Sequence, residues 1–183
     1  MKIIRLGGSL LADHELFMNL SSFFQKWHGD GLLLVPGGGI YAKKVRTHQK
    51  TNRLTDSQAH WMAIKSTEIM GVLLCELIPK AIPTNIPRSL PENEIEVIFP
   101  YIYFRDRNNL PHSWEATSDA IAALIGQDLG INDLFKLTFG PKDPRIALDS
   151  FSIKFHQEFG IKWTIITLQE PDFLVRLEKA LRS

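Results

Sequence analysis

The sequence predicts an α/β protein: a mainly parallel sheet covered by helices on both faces, in one domain over residues 1–183. Two observations carry this. Short apolar runs alternate with longer stretches of helical periodicity from one end of the chain to the other. Two of those runs end in glycine clusters, Gly7-Gly8-Ser9 and Gly37-Gly38-Gly39, and each cluster leads into helix-like sequence. Glycine-lined strand ends in one parallel sheet open on the same edge, where α/β folds take their ligands. No internal repeat, low-complexity tract or linker divides the chain.

The first run is Lys2-Ile3-Ile4-Arg5-Leu6, a buried strand that turns at Gly7-Gly8 and enters a helix after Ser9. Glycines there let backbone N–H groups face an anion, the Ser9 hydroxyl adds a donor, and Arg5 projects toward the same corner. The simplest use of such a corner is to hold phosphate; the blander reading is a turn. Residues 13–28 carry apolar side chains at helical spacing, with Asp13 as N-cap. The second strand, Leu32 to Val35, feeds the Gly37-Gly38-Gly39 corner, and residues 40–49 form a helix whose Lys43, Lys44 and Arg46 read as a solvated face. A long helix follows over 55–78, capped by Thr55 or Asp56 and stopped by Pro79. Its second half is apolar nearly all round, as in a core helix or a subunit contact. Its first half gathers Asp56, His60, Trp61 and Lys65 near one face, a packed surface or the wall of a polar pocket.

Residues 81–91 read as a proline-rich loop around a short strand, 95–104 as an aromatic run split by Pro100, and 105–109 as a polar turn. Thr117-Ser118-Asp119 begin a helix of small apolar residues that packs close to the sheet; capping alone accounts for one of the three. A strand over 133–139 holds Lys136, and a lysine in a buried strand points into a site or out of an edge. Residues 140–144 are a turn, 152–158 a helix, 162–167 the final strand and 171–181 the final helix.

Composition is that of an ordinary globular protein, with 44% hydrophobic and 22% charged residues. A formal net charge of +1 gives no general attraction to nucleic acid or membrane. No signal peptide or membrane-length apolar run is visible, so the expected location is cytoplasmic. The one cysteine, Cys75, lies in an apolar helix and reads as a buried thiol; no disulfide framework or metal-ligating set is expected.

Three pieces stand in a fixed order: Arg5-Leu6-Gly7-Gly8-Ser9, Pro36-Gly37-Gly38-Gly39 and Thr117-Ser118-Asp119-Ala120-Ile121-Ala122-Ala123. This pattern resembles the amino acid kinase superfamily. The residues 56–64 and 110–119 further resemble its methanofuran-biosynthesis branch. The resemblance implies a three-layer α/β/α fold and transfer of the γ-phosphoryl group of ATP to a phosphomonoester such as an aminomethylfuran-methyl phosphate. It implies that Gly7, Gly8 and Ser9 bind ATP phosphates and that Gly37, Gly38 and Gly39 bind the acceptor. Arg5, Asp119 and Lys136 become the catalytic candidates, with Asp119 holding cationic side chains in place. Mg²⁺ arrives on the ATP phosphates. For the acceptor, Asp56 or Glu115 suits an aminomethyl group, Trp61, Tyr103 or Trp114 a furan ring, and His60 and Ser118 complete the polar wall. A homodimer is one reading of the apolar helix over 69–78.

The chain departs from the family in two places. Arg5 stands where lysine is usual, with the same charge and a different shape. The segment after Lys136 is short, which bears on how adenine is held. These departures support a different class of function, a non-catalytic relative that binds a ligand or a partner. An α/β redox domain is disfavoured, because neither cluster has the Gly-x-Gly-x-x-Gly spacing of a dinucleotide loop. The kinase reading also expects Asp119→Asn to stop transfer with little loss of folding.

Overall fold

The computed structural model describes residues 1–10, 13–140 and 143–183; the predicted turn over 140–144 lies partly outside them. The described residues form β1 (Lys2–Leu6), α1 (His14–Lys26), β2 (Leu32–Pro36), α2 (Gly39–Asn52), α3 (Asp56–Leu77), β3 (Ala81–Thr84), β4 (Ile95–Ile98), α4 (Tyr101–Arg107), α5 (Ser118–Leu129), β5 (Asp133–Thr138), α6 (Pro144–Ala147), α7 (Ser150–Phe159), β6 (Lys162–Thr167) and α8 (Phe173–Arg182). The six strands make one sheet in the order β3-β4-β2-β1-β5-β6, and every pairing is parallel.

Alternation along the strands sorts the core into two layers. Ile4, Leu6, Leu32, Leu34, Phe135 and Leu137 face α1, the end of α3 and α8. Ile3, Leu33, Val35, Ile98 and Leu134 face α4, α5 and α7. The small residues Ala120, Ala122 and Ala123 are fully buried and let α5 lie close against the sheet, as predicted. The three-layer α/β/α sandwich is thus the observed architecture. Among the described residues, no helix is long and apolar enough to cross a membrane.

The helix starts follow local chemistry. The Asp13 side chain accepts the Leu16 N–H, and Thr55 and Gln58 form a reciprocal capping box at the start of α3. Arg53, in the left-handed region at φ 53°, ends α2 three residues later than the periodicity placed it. Residues 101–107 are helical rather than an aromatic run and a polar turn. The cap is what the local sequence hides: Glu68 of α3 accepts the Tyr101 N–H at 2.8 Å, from a position far away in the chain.

α3 belongs to both layers. Ile64, near its start, packs with α5, while Leu74, near its end, packs with α1. Its second half is buried on one side only, since Ile69, Val72 and Leu73 are exposed. Cys75 is half-buried rather than fully buried, with its thiol pushed up by burial.

Thr55→Ala removes one half of the capping box and should lower stability by about 1 kcal/mol. Urea denaturation followed by circular dichroism measures this, and an unchanged midpoint would mean that the box contributes nothing to α3.

Candidate active site

All strands point the same way, so β1, β2, β4, β5 and β6 open on one edge. Strand order changes direction between β1 and β5, because β1 leads to β2 on one side and β5 to β6 on the other. Arg5 and Lys136 are register partners across this boundary and share the face covered by α5. Both therefore point at the first turn of α5, where Asp119 is only 2% exposed.

Asp119 joins the two cations. Arg5 Nε lies 2.7 Å from its Oδ1 and Lys136 Nζ 2.7 Å from its Oδ2. The Arg5 Nε and Nη2 hydrogens go instead to Ser118 Oγ, at 3.1 and 2.8 Å. Oδ1 is thus charge-paired without an aligned donor. Lys136 is 4% exposed and also donates to the Ala147 carbonyl. Burial, and then the neighbouring Arg5 guanidinium, hold the Lys136 ammonium below the usual lysine range against the opposing pull of Asp119.

Asp149 fixes this corner from behind, and the sequence reading passed it over. Its Oδ2 accepts the Thr117 N–H and hydroxyl at 2.7 Å each and the Ala120 N–H at 3.3 Å. Its Oδ1 accepts the Ser152 N–H at 2.7 Å, and its own N–H donates to Asp119 Oδ2 at 3.3 Å. One carboxylate therefore binds the starts of α5 and α7 together. The available signal was the N-cap spacing of Asp149 and Ser152.

The two glycine corners touch. A Cβ on Gly8 would lie 2.2 Å from the Gly39 nitrogen, and one on Gly37 2.7 Å from the Gly8 nitrogen. Glycine is required here by backbone contact. Two N–H groups are also spoken for: Gly7 donates to Leu137 O at 2.9 Å and Gly37 to Leu6 O at 2.8 Å. Neither amide is free for phosphate, which corrects the role the sequence suggested for them. The N–H groups of Gly8, Ser9, Gly38 and Gly39 have no acceptor among the described residues. The α2 N-terminus has no side-chain cap either. These are the donors left to meet an anion.

Arg5, Lys136, Gly7, Gly8, Ser9, Gly38, Gly39 and Ser118 line a cavity of about 1090 Å³. Its outer part runs between α2, α3 and the segment 110–117. There α2 presents Ile40, Tyr41, Ala42, Lys43, Arg46 and Gln49. Lys43 and Arg46 are exposed, as the sequence suggested, and also border the cavity; neither has a carboxylate partner among the described residues. The spacing put them on one stripe; only the docking of α2 on α3 decides where the stripe points. Asp56, His60, His112 and Trp114 line the same end. The Trp114 indole N–H donates to Gln49 Oε1 at 2.6 Å, Gln49 Nε2 donates to Asp56 Oδ1 at 2.8 Å, and the Arg46 guanidinium lies 4.4 Å from the Trp114 ring centre.

Five proposed site residues are not part of the lining; Asp119 is one, 2% exposed between Arg5 and Lys136. Tyr103 is buried with its hydroxyl on Asp128 and the Arg107 guanidinium over its ring, and burial pushes its phenol up. Trp61 stands behind His60, against Tyr101 and Arg105. Glu115 is exposed and points to no wall of the cavity. Gly37 is buried beneath the corners. Helical spacing could not tell the front of these elements from the back.

Solved structures of kinases share this fold. The chain superposes over its full length on 96% of the uridylate kinase from Archaeoglobus fulgidus, with a TM-score of 0.67 and 17% identity. It matches the UMP kinase from Ureaplasma parvum with a TM-score of 0.65 and 15% identity, over 97% of this chain and 94% of that one. The aspartate kinase from Synechocystis gives 0.64 and 11%, over 92% and 38%. In sequence, the chain is similar to the [5-(aminomethyl)furan-3-yl]methyl phosphate kinase of Methanocaldococcus jannaschii, 28% identical over 141 residues that cover 75% of this chain. The chain spans 65% of the length of that curated relative. No family model matches the chain.

Burial of Asp119 between two cations changes what its replacement should do. Asp119→Asn leaves Arg5 and Lys136 facing each other without a counter-charge and should cost about 3 kcal/mol of stability. Chemical denaturation of the purified variant measures this, and a loss below about 1 kcal/mol would mean that solvent screens the pair.

Proposed function

We propose that this chain is an ATP-dependent kinase that adds a phosphoryl group to a small phosphomonoester. The observation that carries this reading is the Arg5–Asp119–Lys136 cluster beside two touching glycine corners whose remaining N–H groups are unused. When bound, MgATP supplies the γ-phosphoryl group and the divalent charge on it. Among the described residues no three potential metal ligands cluster, and Asp119 is committed to its two cations. A magnesium ion fits this site as one carried on phosphate oxygens.

The chain's own residues position and neutralise. The Gly8 and Ser9 N–H groups face the donor phosphates. The Gly38 and Gly39 N–H groups and the open start of α2 face the acceptor phosphate. Arg5 and Lys136 meet the charge that spreads over the group in flight, and Asp119 keeps them there. An acceptor phosphate oxygen bonds to the γ-phosphorus as the bond to the ADP oxygen breaks, leaving a diphosphate. Lys43 and Arg46, without carboxylate partners, draw in the charged acceptor.

The relative's name suggests the finer reading, an aminomethylfuran-methyl phosphate in methanofuran-type cofactor biosynthesis. Asp56 suits the ammonium of such a molecule and Trp114 its ring. The same reading takes the protein as cytoplasmic and as a homodimer through the exposed apolar side of α3.

The test is ³¹P NMR of purified protein with MgATP and a panel of phosphomonoesters that includes the aminomethylfuran phosphate. ADP and a diphosphate should form only when an acceptor is present. No transfer together with no MgATP binding by calorimetry would replace this reading with a ligand-binding one. In the active system, Lys43→Met and Arg46→Gln should each raise the acceptor KM about tenfold with little change in kcat. An unchanged KM in both would remove α2 from acceptor binding.

A further inference from the structure

The segment 110–117 is anchored at Leu110 and again from Glu115, whose carbonyl accepts the Phe151 N–H at 3.1 Å. Leu110 and Ala116 are buried in the α5 layer, while Ser113 and Glu115 are exposed. Two side chains hold the crest between them down. Trp114 reaches α2 through Gln49 and Arg46. His112 reaches α3, where its imidazole stacks on His60 with ring centres 4.3 Å apart and planes inclined by 24°. His112 Nε2 lies 3.0 Å from Asn108 Oδ1, which orients that ring from the base of the segment.

His60 is the unusual half of the pair. It is 8% exposed, its Nε2 is buried without a partner among the described residues, and Trp61 packs edge-on against both imidazoles. The charged groups placed around the pair are Asp56 and Lys65 on α3, Arg105 of α4 over Trp61, Arg46 of α2 against Trp114, and Glu115 on the segment itself. Lys65 is paired with Glu68, and Asp119 of α5 is committed to Arg5 and Lys136. No carboxylate bonds to either imidazole among the described residues.

We infer that His60 is a positioning residue that acts through His112: with His60 neutral, the stack holds the crest 111–114, and Trp114 with it, over the outer end of the cavity, and protonation of His60 releases it. The physical reason is that a buried imidazolium with no acceptor, face to face with a second imidazole, loses solvation and gains nothing in return. Burial, and then His112, lower the His60 pKa to about 4 in the closed arrangement. A released, solvated His60 returns to its ordinary value near 6.5. The sign follows. The group binds protons more readily when released, so closure is complete above about pH 6.5 and is lost as pH falls toward 4. For a kinase, this makes acceptor binding weaken in acid, and to that extent the inference rests on the function proposed above.

The first test does not depend on activity. The indole N–H resonance of Trp114, assigned with Trp114→Phe, is followed by ¹H–¹⁵N NMR between pH 7.5 and 4.5 in the wild type and in His60→Phe, which keeps a flat ring but cannot take a proton. The wild-type resonance should move with a midpoint below pH 6.5, and the His60→Phe resonance should stay fixed. A wild-type resonance that does not move, or one that moves equally in the variant, overturns the inference. If His60→Phe does not fold, His60→Gln serves instead: it cannot take a proton either, so the Trp114 resonance should stay fixed, and a resonance that still moves as in the wild type overturns the inference. Where transfer is measurable, the acceptor KM of the wild type should rise at least fivefold from pH 7.5 to 5 with a smaller change in kcat, and the KM of His60→Phe should be flat. A parallel rise in both would again overturn it. Absence of both transfer and MgATP binding, with a pH-dependent Trp114 resonance, would reject the kinase and keep the latch.

Discussion

The site depends on a single carboxylate between two cations. Arg5 and Lys136 are register partners on adjacent strands, and like charges so placed repel in a part of the molecule that water barely reaches. Asp119 makes the pairing tolerable by offering one oxygen to each. Its position comes in turn from the start of α5, which Asp149 holds against the start of α7. The closeness of α5 to the sheet comes from its run of small residues. Core packing, helix capping and charge balance therefore meet at one point, and none can be altered there alone.

Such an arrangement suits a reaction in which the protein makes no covalent bond. When negative charge is handed from one group to another, what matters is where the opposing charges stand and how little they move. Arg5 is held by both Ser118 and Asp119, and Lys136 by Asp119 and a backbone carbonyl. The Arg5 guanidinium has a second edge to satisfy beyond its ion pair, and the Ser118 hydroxyl receives it.

Much of the fold was legible because its signals are local. Strand alternation, the glycine corners, the capping residues Asp13 and Thr55, and the odd presence of Lys136 in an apolar strand all show in short windows of sequence. What stayed hidden depends on partners distant in the chain. α4 takes its cap from Glu68, Asp149 ties two helices that only the tertiary fold brings together, and the exposed stripe of Lys43 and Arg46 borders the cavity only because α2 docks on α3. The same limit misplaced Tyr103, Trp61 and Glu115, each on the right element and the wrong side of it. The glycines were read as open amides, whereas Gly7 and Gly37 spend theirs on the neighbouring strand ends.

The contact between Gly8 and Gly39 has a consequence of its own. Because the two corners meet main chain to main chain, the separation of anything seated on them is set by covalent geometry and sheet register, not by rotamers. The distance between the corners is fixed as on a ruler. Side-chain changes in the outer cavity can enlarge, shrink or recolour the room available to a ligand without altering the mark at which its charged end stops. Selectivity in this molecule can therefore drift at one end of the cavity while the working distance at the other is conserved by the backbone itself.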